Sequence, residues 1–339
     1  MTISKQRQKT VTPENIMRII WAGTETISLN TAIHFDLFTH ISKGKHTARD
    51  LARATKCSAN AIERLLNVLV GLELLNKDNK TYTLTPESDM FLVRDKASYV
   101  GDMAGHGVEI MDGWKNLSKS IETGKSSFQF DTQKQGEEFF SSLVKALFPA
   151  NFAASSGAAA MFKKKKKNIE KILDVAAGSA PWSLGFAKQY PEAKVTALDF
   201  PRVLDVTRQY VEQLDAESQY DYLAGDLNTV SFGKNSYDLV ILGHICHSEG
   251  ERRARKLIKK SAQALREGGT LLIAEVLPNE DLSAPLSALL FSLNMLVFTS
   301  EGDVFPVSQY QKWAEEAGLK EFEVLDKVPA PFPLLLATK

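Results

Sequence analysis

Apolar residues recur at mainly helical spacing through the first hundred positions, and residues that favour helix starts divide this pattern into segments. The first segment covers residues 13–41, with Pro13 suited to the first turn of a helix. Two shorter helices are predicted to start after Thr47 and Ser58, because both are typical N-cap residues. Two strand-like runs around residues 78–79 then predict a hairpin. Helix, helix and hairpin in this order predict a winged helix-turn-helix.

The pattern stays helical from Asp102 to Phe162, apart from a polar, turn-rich interruption over residues 122–138. After the lysine run at residues 163–167, short apolar runs alternate with helical segments. The four clearest apolar runs are KILDVAA, AKVTALDF, YDLVILGH and GGTLLIAEVL. This alternation is typical of an α/β fold with a parallel, doubly wound sheet and helices on both faces. Residues 284–300 are predicted as a buried helix, and the tail at 320–339 as two final strands.

The composition is that of an ordinary globular protein, with 339 residues, 44% hydrophobic and 24% charged. Lys+Arg and Asp+Glu both total 41, and this balance argues against nucleic acid or any other partner selected by bulk charge. The two cysteines, Cys57 and Cys246, stand in unrelated contexts, so we expect no disulfide framework and a reducing cytoplasm. We expect no signal peptide and no membrane span, because the N-terminus is polar and no apolar run is long enough.

Acidic residues mark the ends of three successive predicted strands. Asp174 opens DVAAGSAPW, a turn of small residues where backbone N–H groups can approach a ligand. Asp199 ends the second strand, a position from which a carboxylate accepts hydrogen bonds from ribose hydroxyls. Asp226 follows the expected third strand. Together they line the crevice where such sheets bind nucleotide-like ligands, although each alone is also typical of a turn or a helix cap.

The segment LGHICHSEGERR holds two histidines, His244 and His247, with Cys246 between them. A metal site is one interpretation, but zinc needs three or four ligands and no second Cys/His cluster exists to complete it. A catalytic base at His247 is the preferred interpretation, and a structural or substrate-orienting histidine is the remaining one. His244 is expected to be structural or to contact the residues that hold the site. Ser248 is predicted to cap the helix that follows.

A DNA-binding regulator is the alternative from another class, because the winged helix occurs in DNA-binding proteins. The segment SANAIERLLNVLVGLELL has one arginine and a thick apolar stripe, which favours dimer packing over groove binding.

Six segments follow one another in order: ILDVAAGSAPW, VTALDFPRVL, YLAGDL, YDLVILGHICHSEGE, ALREGGTLLIAEVL and YQKWAEEAGL. In this order the chain resembles, over nearly its whole length, the class I S-adenosylmethionine-dependent small-molecule O-methyltransferases with an N-terminal winged-helix dimerisation domain. The resemblance implies a Rossmann-like, mostly parallel sheet, S-adenosyl-L-methionine as cofactor and a homodimer. The implied domains are a dimerisation domain at 1–100, a helical connector at 101–165 that contributes to the acceptor site, and a catalytic domain at 166–339.

The resemblance also implies residue roles. Asp174 and Gly178 would lie around the methionine part of the cofactor, Asp199 would bind the ribose, and Asp226 with Leu227 would lie beside the adenine. This family is usually richer in glycine in the first loop, where this chain has Ala176, Ala177 and Ala180. Alanine disfavours a positive φ.

His247 falls where the family has its general base, and Glu275 falls where an acid orients that base. The plant members have a lysine four residues before the base, where this chain has Gly243, and a second acid for which Glu301 and Asp303 are the nearest candidates. The acceptor is expected to be a small aromatic or polyketide-like molecule. Methylation at carbon or nitrogen, or a non-methylating reaction, is the alternative. The acceptor is expected to contact apolar side chains of the helices, among them Met111, Trp114, Phe148 and Met295. The alternative is that most of these apolar side chains belong to the core between helices.

Overall fold

The computed structural model describes residues 11–96, 98–128 and 133–339, with the backbone alone for residue 109 and residues 133–142. The chain divides into two compact units, Met1–Val108 and Glu109–Lys339. The boundary predicted at residue 165, inside the second unit, stays a prediction. Among the described residues, no helix is long and apolar enough to cross a lipid bilayer.

The first unit is a helical domain with one small hairpin. Its elements are α1 (Glu14–His34), α2 (Leu37–Ser42), α3 (Ala48–Thr55), α4 (Ala59–Gly71), β1 (Leu75–Asp78), β2 (Thr81–Leu84) and α5 (Pro86–Phe91). The hairpin is antiparallel, as predicted. Its core contains Leu37, Phe38, Leu51, Leu66 and Tyr82.

Two local predictions in this unit need correction. The single helix expected over residues 13–41 is broken, because Asp36 has a left-handed backbone with φ 52° and separates α1 from α2. Thr47 caps α3 as predicted, its hydroxyl oxygen accepting the N–H of Asp50 at 3.2 Å. Ser58 takes the cap position of α4, but its side chain makes no capping hydrogen bond.

The second unit contains the sheet. α6 (Asp102–Trp114) spans the boundary between the units, and α7 (Leu117–Thr123) and α8 (Gln133–Lys164) follow. Its remaining elements are β3 (Lys171–Val175), α9 (Pro181–Gln189), β4 (Lys194–Asp199), α10 (Pro201–Gln213), β5 (Tyr220–Ala224), β6 (Tyr237–Gly243), α11 (Cys246–Ala264), β7 (Leu265–Ala274), α12 (Leu286–Phe298), α13 (Val307–Glu316), β8 (Lys320–Leu325) and β9 (Leu334–Thr338).

The strand order β5-β4-β3-β6-β7-β9-β8 confirms the doubly wound α/β class. β3 to β7 are parallel, and the two final strands are antiparallel additions. Side chains alternate between two cores, so Ile172 packs on one face of the sheet and Leu173 on the other. Chain order reverses between β3 and β6, and such a switch point is where sheets of this kind bind ligands.

The helix predicted as buried over residues 284–300 is only partly buried. α12 buries Ala288, Met295 and Val297, whereas Leu286 is 66% exposed and Leu290 46% exposed. Its apolar residues surround the helix, so packing on one side leaves the other side open.

The loop between β3 and α9 holds two alanines in left-handed conformation, Ala176 with φ 56° and Ala180 with φ 57°. Both are among the positions where the resemblance of the sequence implies a loop richer in glycine. For an L-residue such a backbone costs roughly 1–2 kcal/mol. The loop therefore has a strained backbone at Ala176 and Ala180.

Ala176→Gly is expected to raise the free energy of unfolding by up to about 1 kcal/mol, because glycine adopts a positive φ without steric strain. The matched control is Ala177→Gly, since Ala177 is not among the residues with positive φ. That control is expected to lower the stability by about 0.5–1 kcal/mol. Urea unfolding followed by circular dichroism measures both, and a destabilised Ala176→Gly would contradict the strain assigned to this loop.

Candidate active site

Asp174, the first predicted cofactor residue, lies buried near the end of β3 and contacts the start of α9. One carboxylate oxygen, Oδ2, accepts the hydroxyl of Ser183 at 2.5 Å and its N–H at 3.3 Å. The Tyr220 hydroxyl donates to Ser183 Oγ at 3.0 Å. Burial raises the pKa of Asp174 to about 7, although both hydrogen bonds from Ser183 act to lower it. The structure thus shows Asp174 anchoring α9 under the loop, and its direct contact with a cofactor stays a prediction.

Asp199 and Gly178, predicted independently, lie together in the structure. The Gly178 N–H donates to Asp199 Oδ2 at 2.9 Å, and the Phe200 N–H donates to Asp199 Oδ1 at 2.7 Å. Gly178 has φ 61°, and its carbonyl accepts the Thr207 hydroxyl at 2.6 Å. Burial raises the pKa of Asp199 to about 6, against the lowering effect of the two N–H groups. The carboxylate at the end of β4 is therefore tied to the loop that follows β3.

Asp226 and Leu227 lie in the turn after β5. Asp226 is exposed, and its Oδ1 accepts the N–H of Asn228 at 2.8 Å. Leu227 packs against one of the two sheet cores, and its carbonyl accepts Lys260 Nζ at 2.7 Å. The three acids therefore lie at the ends of neighbouring parallel strands, as predicted. The adenine contact of this turn stays a prediction.

The strongest contact among the predicted residues joins His247 and Glu275. Glu275 Oε2 lies 2.6 Å from His247 Nδ1, and Oε1 accepts the N–H groups of Cys246 at 2.6 Å and His247 at 3.3 Å. The Glu275 side chain is fully buried, whereas that of His247 is 12% exposed. Burial acts to raise the pKa of Glu275, but the charge and hydrogen bond of His247 outweigh it and hold that pKa below its ordinary value.

This pairing determines what the imidazole can do. A carboxylate on Nδ1 favours the tautomer that carries the proton there, which leaves Nε2 as an acceptor. The ring of Phe291 meets His247 edge-on at 4.8 Å between centroids, and the Asp303 N–H holds the His247 carbonyl at 2.9 Å. A partly exposed, oriented imidazole beside a buried acid is suited to removing a proton from a ligand.

The turn around His247 differs from its prediction in one detail. Ser248 does not cap a helix, because its hydroxyl donates to the Ile245 carbonyl at 3.0 Å. The regular part of α11 starts after Gly250, whose φ of 68° and ψ of 170° break the helix. A Cβ at Gly250 would lie 2.1 Å from the Glu301 carbonyl oxygen, so a side chain does not fit there.

Neither candidate for a second acid contacts the His247 ring among the described residues. Glu301 lies 3.7 Å from Arg252 and 3.9 Å from Arg253. Asp303 accepts the Ser292 hydroxyl at 2.6 Å.

Cys246 is not among the described residues whose potential metal-ligand atoms lie together, and burial raises the pKa of its fully buried thiol well above the ordinary value. His244, His247 and Glu275 each offer one potential ligand atom within 4.8 Å of the others. The hydrogen bond between His247 and Glu275 already joins two of these three residues.

The acceptor residues proposed from sequence lie in different environments. Trp114 Nε1 donates to Asn294 Oδ1 at 2.9 Å, which brings the end of α6 to α12, and Met295 is buried on α12. Phe148 stacks on Phe152 and contacts Tyr210 on α10, a pattern of interhelical packing. An acceptor contact for these residues and for Met111 stays a prediction.

Phe200 is a residue that sequence reasoning missed. It follows Asp199 directly and is 54% exposed, although it lies at the end of a buried strand. An exposed aromatic ring beside the acid predicted to bind a ribose is placed to stack on a purine. The available signal was a large apolar residue between the strand-end acid and the helix-starting Pro201.

The chain matches the O-methyltransferase domain family over residues 114–320 and the O-methyltransferase dimerisation domain over residues 24–94. It is 25% identical over 313 residues to the tetracenomycin polyketide synthesis 8-O-methyl transferase TcmO of Streptomyces glaucescens, covering 91% of this chain and 92% of that protein. It is also 25% identical to the 3-hydroxy-5-methyl-1-naphthoate 3-O-methyltransferase of Streptomyces sahachiroi, covering 88% of this chain and 86% of that protein.

Solved structures show the same fold. One from Nostoc punctiforme, assigned to the O-methyltransferases, superposes with a TM-score of 0.89 at 25% identity, covering 97% of this chain and all of that one. Human N-acetylserotonin methyltransferase, solved in complex with S-adenosylmethionine, gives a TM-score of 0.83 at 21% identity, covering 99% of each chain.

The raised pKa of Asp174 predicts a stability that depends on pH. Because its folded pKa of about 7 exceeds the unfolded value, the folded state binds the extra proton. The free energy of unfolding should therefore fall as pH rises from about 4 to about 7. Asp174→Asn is expected to reduce this slope in urea unfolding measured between pH 4 and 8, and part of it remains because the pKa of Asp199 is also raised, to about 6. Asp205→Asn, an exposed control on α10, should keep it, and an identical slope in wild type and Asp174→Asn would refute the assignment.

Proposed function

Because this chain belongs to the O-methyltransferase family, we propose that it transfers the methyl group of S-adenosylmethionine to a hydroxyl of a small aromatic or polyketide-like molecule. The observation that carries the proposal is the pairing of His247 with Glu275 at the end of the parallel sheet. Two relatives that match over most of their length bear names that specify O-methylation, of a polyketide in one case and of a naphthoate in the other.

The residues at the carboxyl ends of β3 and β4 fit the cofactor. Asp199 offers a carboxylate to ribose hydroxyls, and Phe200 offers an exposed ring to the adenine. The loop around Gly178 brings backbone groups close to a ligand, since its residues are small. S-adenosylmethionine supplies an activated methyl group on a sulfonium.

The reaction needs the acceptor oxygen aligned with this methyl group and freed of its proton. We assign the proton to Nε2 of His247, with the acceptor oxygen taking the methyl group and S-adenosylhomocysteine leaving. Glu275 keeps the proton of the neutral ring on Nδ1 and stabilises the imidazolium that forms. General-base assistance of this kind contributes about 10²–10⁴-fold, and alignment of the reactants supplies much of the remaining rate.

A homodimer is part of the proposal. The first unit matches a dimerisation domain over residues 24–94. α1 exposes a set of large apolar side chains: Ile16, Met17, Ile19, Ile20, Trp21 and Ile27. An exposed apolar face of this size is typical of an association surface, and a second copy of the chain is the proposed occupant.

His247→Ala is expected to lower turnover at least about 10²-fold while S-adenosylhomocysteine still binds, because only the proton transfer loses its base. Glu275→Gln should lower turnover less, since the ring remains but its partner is neutral. The control is His40→Ala, in the first unit. Activity is measured with a panel of phenols, and calorimetry measures cofactor binding. A His247→Ala variant with wild-type turnover would disprove the base assignment. A wild-type protein that binds neither S-adenosylmethionine nor S-adenosylhomocysteine would disprove the proposed function.

Cofactor affinity is expected to depend on Asp199 and on pH. The ionised carboxylate accepts the ribose hydroxyls, so affinity for S-adenosylhomocysteine should weaken as pH falls through about 6, where Asp199 takes up a proton. Asp199→Asn should weaken binding by roughly tenfold or more and remove this dependence. Asp205→Asn is the matched control. Calorimetry from pH 5 to 8 measures both effects, and a pH-independent wild type would speak against the ribose contact.

A further inference from the structure

His244 is a second histidine at the site, and the proposed reaction does not use it. It follows β6 directly, next to the switch point between β3 and β6. Its ring centroid lies 6.3 Å from that of His247 and 5.8 Å from that of Trp182 at the start of α9. His244 therefore lies close to the start of α9, which follows the proposed cofactor loop, and also close to the proposed base, His247.

The imidazole of His244 has hydrogen-bonding capacity to spare. Within the part of the chain that the structure describes, neither of its ring nitrogens has a hydrogen-bond partner, and the residue is partly exposed. His247, in contrast, uses Nδ1 for Glu275. Burial lowers the pKa of His244 to about 4, and the nearby Glu275 offsets this only in part. The ring is thus neutral at physiological pH and keeps one donor and one acceptor.

The backbone of His244 is also unusual. Its φ of 59° is left-handed, and its N–H donates to the Ala274 carbonyl at 2.8 Å. For a residue with a Cβ this conformation is less favourable by roughly 1–2 kcal/mol of free energy, whereas glycine adopts it without steric strain. A strained residue beside a candidate base is an observation that points towards a functional side chain.

We propose that His244 determines specificity by hydrogen-bonding a second oxygen of the acceptor, next to the hydroxyl that faces His247. A nitrogen of His244 and a nitrogen of His247 lie within 4.8 Å of each other. The ring centroids of the two histidines are 6.3 Å apart. With hydrogen bonds of about 2.8 Å, two rings this close can reach two oxygens on adjacent or peri ring carbons of one acceptor. A neutral imidazole serves either case, as a donor to a carbonyl or as an acceptor from a second hydroxyl.

The preferred substrates are therefore aromatic molecules with a second oxygen beside the methylated hydroxyl. This inference rests on the proposed function, since it presumes that a hydroxyl is methylated at His247. It goes beyond that function by naming the substitution pattern of the acceptor and the residue that recognises it.

Catechol and phenol form the test pair, because they differ by one hydroxyl on the adjacent carbon. The measured kcat/KM for catechol is divided by two before the comparison, because catechol has two equivalent hydroxyls. His244→Phe keeps a ring of similar size without hydrogen bonds. We expect it to lower kcat/KM for catechol about tenfold more than for phenol, as the loss of one substrate hydrogen bond predicts. Comparing each variant with wild type cancels the different intrinsic reactivities of the two molecules.

Two further variants keep the test decisive. His244→Gly adopts the left-handed backbone without strain and has no side chain to form a hydrogen bond, so it should show the same selective loss if His244→Phe does not fold. His40→Phe is the control histidine. Equal losses for both acceptors would overturn the inference, and so would a tenfold weaker binding of S-adenosylhomocysteine, which would assign His244 to the cofactor.

The outcome for the wild type separates this inference from the proposed function. A wild type that binds S-adenosylhomocysteine but discriminates between catechol and phenol neither in turnover nor in binding would refute the role of His244 alone. A wild type that binds neither S-adenosylmethionine nor S-adenosylhomocysteine would refute the proposed function itself.

Discussion

One buried carboxylate holds the candidate site together. Glu275 follows the last residue of β7, has no exposed side-chain surface, and accepts two backbone N–H groups and the His247 imidazole. A buried charge is tolerated only when it is well paired, and removing one partner of such a pair typically costs about 3–5 kcal/mol. The same oxygens that orient the ring therefore also fix the backbone turn that carries it, so ring position and fold stability are coupled.

The sheet supplies the geometry in which this interaction forms. β6 and β7 are parallel neighbours, with Gly243 paired with Ala274, so the turn after one strand meets the residue after the other. The same holds for β3 and β4, where the Gly178 N–H reaches Asp199. Residues far apart in sequence meet because parallel strands end at one edge.

Such pairings were predictable from the sequence, because they depend on strand order and on residue types at strand ends. The pairing of His247 with Glu275 needed only two strands and the family pattern. The errors were of a different kind. The break at Asp36 and the start of the regular part of α11 after Gly250 depend on single backbone angles. The exposure of Leu286 depends on which side of α12 finds a neighbour, and periodicity does not encode that.

One departure from the plant enzymes has a packing explanation. Gly243 stands where those enzymes have lysine, and a Cβ there would lie 2.3 Å from Cδ1 of Trp182. The indole of Trp182 occupies the space that a side chain at Gly243 would need. The large residue at the start of α9 and the small residue on β6 therefore form one packing arrangement, and a lysine at Gly243 alone would force Trp182 to move.

The burial of Cys246 has a practical consequence. Its thiol is enclosed beside Glu275 and stays protonated, whereas the chain's other cysteine, Cys57, is partly accessible in the first unit. Thiol reagents react with the thiolate and need access, so maleimides and spin labels should attach at Cys57 alone. The natural sequence thus provides a single labelling position in the unit proposed to form the dimer. Distances between two labels would then report on assembly by electron paramagnetic resonance without removing a native cysteine.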